Sequence, residues 1–279
     1  VYASITEMSV GDLFAGILIP AGFMVSLFLL YIIGRCLIQP SAGPGLDPAE
    51  TQTALSAKLW LALTALLPAS LLVLAVLGSI FAGIAAPTEA AAVGALGSVV
   101  LSIAYRQFSI KVLREAVTQT IKITSMVMLI ILGGVLFASI FIVHGGDELV
   151  AKVVEGNGLN ETQIIIAFLI VVFILGFVLD WISVLIIVLP IADPIIRNAE
   201  IDPLWFGVMV CIILQTSYLT PPMAPSIFYL RSIAPPEITY MDMYKGVGPF
   251  VVAQLLTLAL VALYPATATW LPTILFSGF

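Results

Sequence analysis

Of the 279 residues, 61% are hydrophobic and only 9% are charged, with a mean hydropathy of +1.19. A soluble domain carries roughly 25% charged residues, so sixteen acids and ten bases cannot cover the surface of a water-soluble enzyme of this size. A net charge of -6 without a basic patch argues equally against a nucleic-acid binder. Cys36 and Cys211 lie in or beside apolar runs and imply no disulfide framework, and the single histidine, His144, excludes a multi-histidine metal site. What remains is an all-α polytopic membrane protein embedded in a lipid bilayer.

A spanning helix needs about 20 mostly apolar residues. Charge-free runs of that order predict spans at Leu13 to Gly34, Leu59 to Thr88, the shorter Ala90 to Tyr105, and Ile123 to Gly146. Further runs follow at Thr162 to Leu179, Trp181 to Ala192, Pro203 to Leu230 and Gly246 to Phe279. None alternates with the two-residue period of a barrel strand, which leaves helices as the spanning elements. Gln39 to Thr53, rich in Pro, Gly and polar residues, reads as an exposed loop. Arg106 to Lys122 carries Arg106, Lys111, Arg114 and Lys122 and reads as an amphipathic connecting helix, cytoplasmic by the positive-inside rule. Gly145 to Glu161, with four acids and one lysine, is expected on the outer side.

The first motif in chain order is Gly83 to Gly94. Pro87 suits a first helical turn and Glu89 sits where the helix dipole favours an acid, so it reads as a capped, closely packed helix start. His144, beside Gly145 and Gly146, reads as a turn residue, and Glu237 and Asp242 as solvated loop charges. The stretch from Thr162 to Arg197 is too long for one span and is expected to break at Gly176, Asp180, Pro190 and Pro194. Asp180 is a carboxylate within a long uncharged stretch, costly in a membrane and by default a mark of function. Gly176, Asp180 and Ser183 would share a face if the segment were helical; the alternative is that Asp180 caps a helix beside Trp181. Pro221 and Pro222 remove two backbone donors. Either they end a helix at the interface, or they expose carbonyls at membrane depth, where secondary transporters bind cations. Hydroxyls and freed carbonyls around Ser217, Thr220, Pro221, Pro222 and Met223 are hard oxygen donors of the kind that suit Na⁺.

Four stretches in order, GIAAPTEAAAVGA (83–95), GFVLDWISVLIIVLPIADPI (176–195), Asp202 to Gly207 and LTPPMAPSIFYL (219–230), resemble the large, DctM-type membrane subunit of the tripartite ATP-independent periplasmic (TRAP) transporters. Trp270-Leu271-Pro272 also fits. The resemblance implies an elevator-type secondary transporter with inverted repeats, a re-entrant hairpin (Met126 to Glu155) and broken helices. It implies Na⁺ as coupling ion, with no other cofactor or metal. It also implies a small membrane subunit and a periplasmic substrate-binding protein as partners, and a place in the bacterial inner membrane. The solute would be a small organic acid or related molecule of C4-dicarboxylate or sialic acid type. Gly176, Asp180, Ser183, Ser217, Thr220, Pro221, Pro222 and Met223 become the cation-site candidates; no substrate-binding residue is singled out. Ala3 to Pro20 matches the segment after the family's first repeat, so the chain reads as a C-terminal portion of such a subunit.

On this reading residues 1–279 form one transmembrane domain: scaffold-like helices over 1–122, transport-type hairpin and broken helices over 123–246, and a terminal helix over 247–279. Two other functions compete. One is a different ion-coupled transporter of similar plan. The other is an intramembrane enzyme, which would need a buried nucleophile with a base, and no such pair stands out.

Overall fold

The computed structural model describes residues 1–43, 54–222 and 224–276, without the side chains of residues 55 and 155. The described residues form helices and turns with no strand, in two compact units: Val1–Tyr31 with Thr124–Phe279, and Ile32–Ile123. Among the described residues, six helices are long and apolar enough to cross a membrane. The chain is thus a multi-pass membrane protein, as its composition predicts.

In chain order, α1 (Tyr2–Ile5) precedes α2 (Val10–Ile38), and a single 3₁₀ turn follows at Pro40–Ala42. The rest of the expected Gln39–Thr53 loop, residues 44–53, lies outside the described residues. In the Ile32–Ile123 unit, α3 (Leu55–Phe81) packs beside α4 (Pro87–Ala104). Gly94 and Gly97 of α4 lie against Val76 and Leu72, and the Tyr105 hydroxyl donates to the Thr64 carbonyl at 3.1 Å. The α4 start follows the sequence expectation: Pro87 occupies the first turn and Glu89 Oε2 accepts from the Ala86 N–H at 2.9 Å.

Next comes α5 (Ile110–Val143). The connecting helix expected over 106–122 begins only at Ile110 and continues without a break as the first part of this one 34-residue helix. No Gly or Pro lies between Ile110 and Gly133 to interrupt it. A turn at His144-Gly145, where Gly145 has φ +74°, leads into α6 (Gly146–Gly156). His144 is therefore a turn residue, as read, with Nδ1 2.8 Å from the Ile140 carbonyl.

The core lies in α7 (Glu161–Leu175), α8 (Trp181–Asn198) and α9 (Pro203–Leu219). Each starts on a side-chain cap. Asn160 and Gln163 exchange hydrogen bonds at 2.9 and 3.0 Å; Asp180 caps α8; Asp202 accepts from the Leu204 and Trp205 N–H groups at 2.7 and 3.2 Å. Phe168 meets Phe206 edge-on at 6.4 Å, and Gly176 lies against Ser217, so α7 and α9 run parallel. The four-residue elbow at 199–202 reverses the chain between α8 and α9, so α7 and α8 form an antiparallel hairpin whose tip is 176–180. α7 and α9, with 15 and 17 residues, span about 22 and 26 Å, short of a roughly 30 Å hydrocarbon layer. The tip and the end of α9 thus meet at one level inside the bundle.

Four expectations are corrected here. Pro190 and Pro194 do not break the chain; both sit inside a continuous α8, whose buried surroundings hold it together. Gly176, Asp180 and Ser183 share no helical face, because Gly176 ends α7 and Asp180 caps α8 from an extended backbone (φ -69°, ψ 160°). The terminal segment is two helices, α11 (Tyr240–Leu263) and α12 (Ala266–Phe276), preceded by α10 (Pro225–Ile233). Pro265 separates the last two, since proline drives the residue before it out of helical backbone. Asp242 belongs to α11's first turn rather than to a loop: its Oδ2 accepts from the Thr239 N–H at 3.0 Å.

Candidate functional site

The hairpin tip and the end of α9 enclose a cavity of about 40 Å³. Gly176, Leu179, Asp180 and Trp181 line it from the tip; Leu214, Ser217 and Tyr218 line it from α9, and Pro225 closes it from α10. Such a volume holds one or two water-sized species. Of the eight sequence-predicted candidates, Gly176, Asp180 and Ser217 come together around this space. Ser183 stands behind Asp180, Thr220 lies just past the end of α9, and Pro221 and Pro222 are exposed. Met223 lies outside the described residues.

Gly176 permits this meeting. A methyl group there would overlap both Oγ and Cβ of Ser217, a side chain that is itself buried, so only glycine lets the tip approach α9 so closely. Asp180 Oδ2 accepts from the Ile182 and Ser183 N–H groups at 3.0 and 3.3 Å, and the Ser183 hydroxyl donates to Oδ1. The carboxylate therefore has the cap role that the alternative reading gave it, at the edge of the cavity. Capping and facing a cation are compatible, because a carboxylate has about four lone-pair directions. Among the described residues, no backbone N–H reaches the carbonyls of Gly176, Phe177, Val178 or Leu179. The tip therefore offers several unclaimed oxygens.

The α9 side differs from its sequence reading. The Ser217 carbonyl is not bare: it accepts from the Thr220 N–H at 3.3 Å. The Thr220 hydroxyl donates to the Thr216 carbonyl at 2.8 Å and the Ser217 hydroxyl to Ile213 at 3.4 Å. Each hydroxyl spends its proton inside the helix and keeps oxygen lone pairs for another partner. Oxygen donors around one carboxylate suit a hard cation.

Sequence reasoning did not single out α1, α2 or α11 for this region. Tyr2 donates to the Pro203 carbonyl at 2.8 Å, and Arg197, paired with Asp193 at 2.8 Å, donates to the Thr6 carbonyl at 2.6 Å. These bonds fasten α1 to the α8–α9 elbow. Burial pushes the Tyr2 phenol well above the ordinary tyrosine range and keeps it a neutral donor. Beside the small cavity, a larger one of about 790 Å³ is bounded by α1, α2, α8, α9, α10 and α11. Its wall includes Gln254, an amide side chain in the charge-free stretch of α11 after Lys245, which was the available signal.

The match to known proteins accords with this architecture. Residues 1–267 match the profile of the family described as the DctM component of tripartite ATP-independent periplasmic transporters. The chain belongs to this family of TRAP large permease subunits. It is 27% identical over 280 residues to the sialic acid TRAP transporter permease protein SiaT of Haemophilus influenzae, covering 99% of this chain and 43% of the relative. It is 28% identical to the C4-dicarboxylate large permease protein DctM of Pseudomonas aeruginosa, covering 98% of this chain and 62% of the relative. The ectoine large permease protein TeaC of Halomonas elongata is 27% identical, with 99% and 63% covered. The chain therefore spans about two-fifths to three-fifths of these relatives. They are transporter permeases, which sets aside the intramembrane enzyme.

Proposed function

We propose that this chain acts in Na⁺-coupled, binding-protein-dependent uptake of a small organic acid or related solute across a bacterial inner membrane. Its partners would be a small TRAP membrane subunit and a periplasmic substrate-binding protein. The observation that carries this reading is the meeting of the 176–180 tip with the end of α9 around a cavity of about 40 Å³ bordered by Asp180 and Ser217. Asp180, the Ser217 hydroxyl and the tip carbonyls would hold Na⁺ there. Thr220, one turn further on, would support it, and Ser183 would orient Asp180. Binding Na⁺ would hold the tip against α9 and so fix the neighbouring solute surface. Inverted repeats and an elevator movement belong to the same proposal. The solutes named for the relatives (sialic acid, C4-dicarboxylates, ectoine) are the ones to try.

The direct test is ²²Na⁺ binding to the purified protein in lipid nanodiscs. Wild type should bind saturably, with choline unable to compete. Asp180→Asn retains a capping side chain but removes the charge, and should weaken binding by an order of magnitude or more. Absence of saturable binding, or an Asp180→Asn protein equal to wild type, would end the Na⁺ assignment at this site.

A further inference from the structure

Gln254 is 1% exposed, and among the described residues its Oε1 has no hydrogen-bond partner. A buried carbonyl-type oxygen left bare costs the full desolvation of that group, so its persistence in α11 needs an explanation. The side chain borders the 790 Å³ cavity, whose other polar lining includes Gln215, Tyr218 and Ser226. Tyr2 and Cys211 also face it, most of the remaining wall is apolar, and among the described residues no lining side chain is Asp, Glu, Lys, Arg or His. Trp181, Leu214 and Tyr218 line both this cavity and the 40 Å³ one. The two spaces therefore share a wall, formed by the first residue of α8 and the last turns of α9.

We propose that the large cavity is the subsite for the uncharged part of the transported solute, with Gln254 as a hydrogen-bonding residue for hydroxyl or amide groups. This rests on the transport function proposed above and adds the solute's class. A pocket of several hundred Å³ with a few placed polar groups is typical of small-molecule recognition. A four-carbon dicarboxylate fits it poorly. Such a solute is small, has two charges and few neutral hydrogen-bonding groups, and meets no cationic side chain here. A larger acid rich in hydroxyl or amide groups matches Gln254, Gln215, Tyr218 and Ser226, and leaves its carboxylate to another part of the transporter. The shared wall supplies the coupling. A cation that orders Trp181 and Tyr218 from one side shapes the solute surface on the other, and by linkage the solute must raise cation affinity equally.

The test measures equilibrium binding of labelled sialic acid and labelled succinate to the purified protein in nanodiscs, in NaCl and in choline chloride. Sialic acid carries the neutral groups and succinate does not. Wild type is expected to bind sialic acid at least tenfold more tightly than succinate, and more tightly in Na⁺ than in choline. Gln254→Leu should weaken sialic acid binding about tenfold, the scale of one buried hydrogen bond, while ²²Na⁺ binding stays at the wild-type level. Equal affinity for the two solutes, no sialic acid binding, or an unaffected Gln254→Leu protein would each overturn the subsite. Sialic acid binding that ignores Na⁺ but still falls in Gln254→Leu keeps the subsite and removes the cation reading. Normal ²²Na⁺ binding with no solute bound does the reverse.

Discussion

The α7–α9 region and the α3–α4 pair are built from equally apolar sequence, yet they place it differently. In α8's most apolar window 44% of residues are buried within the protein, whereas in α3 the figure is 0% and in α4 6%. The α3–α4 pair buries Ala90 fully and otherwise presents Leu, Val and Trp side chains outward, as a bilayer allows. In α7–α9 the helices are short, each start is capped by a side chain, and polar groups are gathered where two chain breaks meet. Hydrophobicity by itself thus does not separate a lipid-facing helix from a site-building one. The separating features are helix length, capping and the placement of glycine.

The sharpest way to break this comparison uses two glycines with equally close neighbours. At Gly176 an added methyl would overlap the buried Ser217; at Gly97 it would overlap the terminal Cδ1 of Leu72 on α3. Leu72 can swing its side-chain end aside, but the Cβ of Ser217 is fixed to the α9 backbone and cannot. Gly176→Ala should therefore abolish measurable ²²Na⁺ binding and cost about 1–3 kcal/mol of stability, the range for overpacking a filled site. Gly97→Ala should melt within a few degrees of wild type, read by thermal unfolding in detergent. Equal melting temperatures for the two variants would show that the tip is no more rigid than the lipid-facing pair.

The caps give the next effect in size. Asp202 and Asp180 both accept two N–H groups, but only Asp180 lines the cavity. Asp202→Ala should cost about 1 kcal/mol without changing Na⁺ binding. Asp180→Ala should cost a similar amount and lose the ion as well. Gln254→Leu has the opposite sign on stability: removing a bare buried amide should leave the melting temperature unchanged or raise it, although solute binding falls. A protein destabilised by Gln254→Leu would mean that the amide is already satisfied within the fold.

Much of this was legible from residue types. The spans followed from runs of apolar residues, and Pro87 with Glu89 announced the start of α4. Asp180 stood out because a carboxylate inside an apolar run must have a reason to be there. What stayed hidden depends on through-space packing. Pro190 and Pro194 read as breaks because proline lacks an N–H, but a buried helix with neighbours on several sides tolerates them. Where a hairpin is expected, Met126 to Glu155 holds the end of α5, a turn and α6, with little packing between the two helices; the hairpin is instead formed by α7 and α8. No sequence periodicity says that α7 runs parallel to α9, and without that fact Gly176 and Ser217 have no visible connection. Gln254 gave a signal, one amide in the charge-free part of α11, whose meaning depends on the cavity beside it.

The smallest expected effect belongs to Thr220, where sequence and structure assign different weights. Read from the sequence, its hydroxyl is a ligand beside two carbonyls stripped of partners by Pro221 and Pro222. In the fold, that hydroxyl donates to the Thr216 carbonyl, and the Thr220 N–H serves the Ser217 carbonyl. The residue closes the end of α9 first, and offers only a lone pair to an ion second. Thr220→Ser keeps the hydroxyl and should match wild type in both melting and ²²Na⁺ binding. Thr220→Ala leaves the Thr216 carbonyl without its side-chain donor, a loss of about 0.5–1.5 kcal/mol for one hydrogen bond, and should weaken Na⁺ binding no more than a few-fold. A drop as large as that of Asp180→Asn would restore Thr220 to the ion's immediate ligands and move the site toward the α9–α10 break. Wild-type binding in Thr220→Ala would confine the ion to the hairpin tip and Ser217.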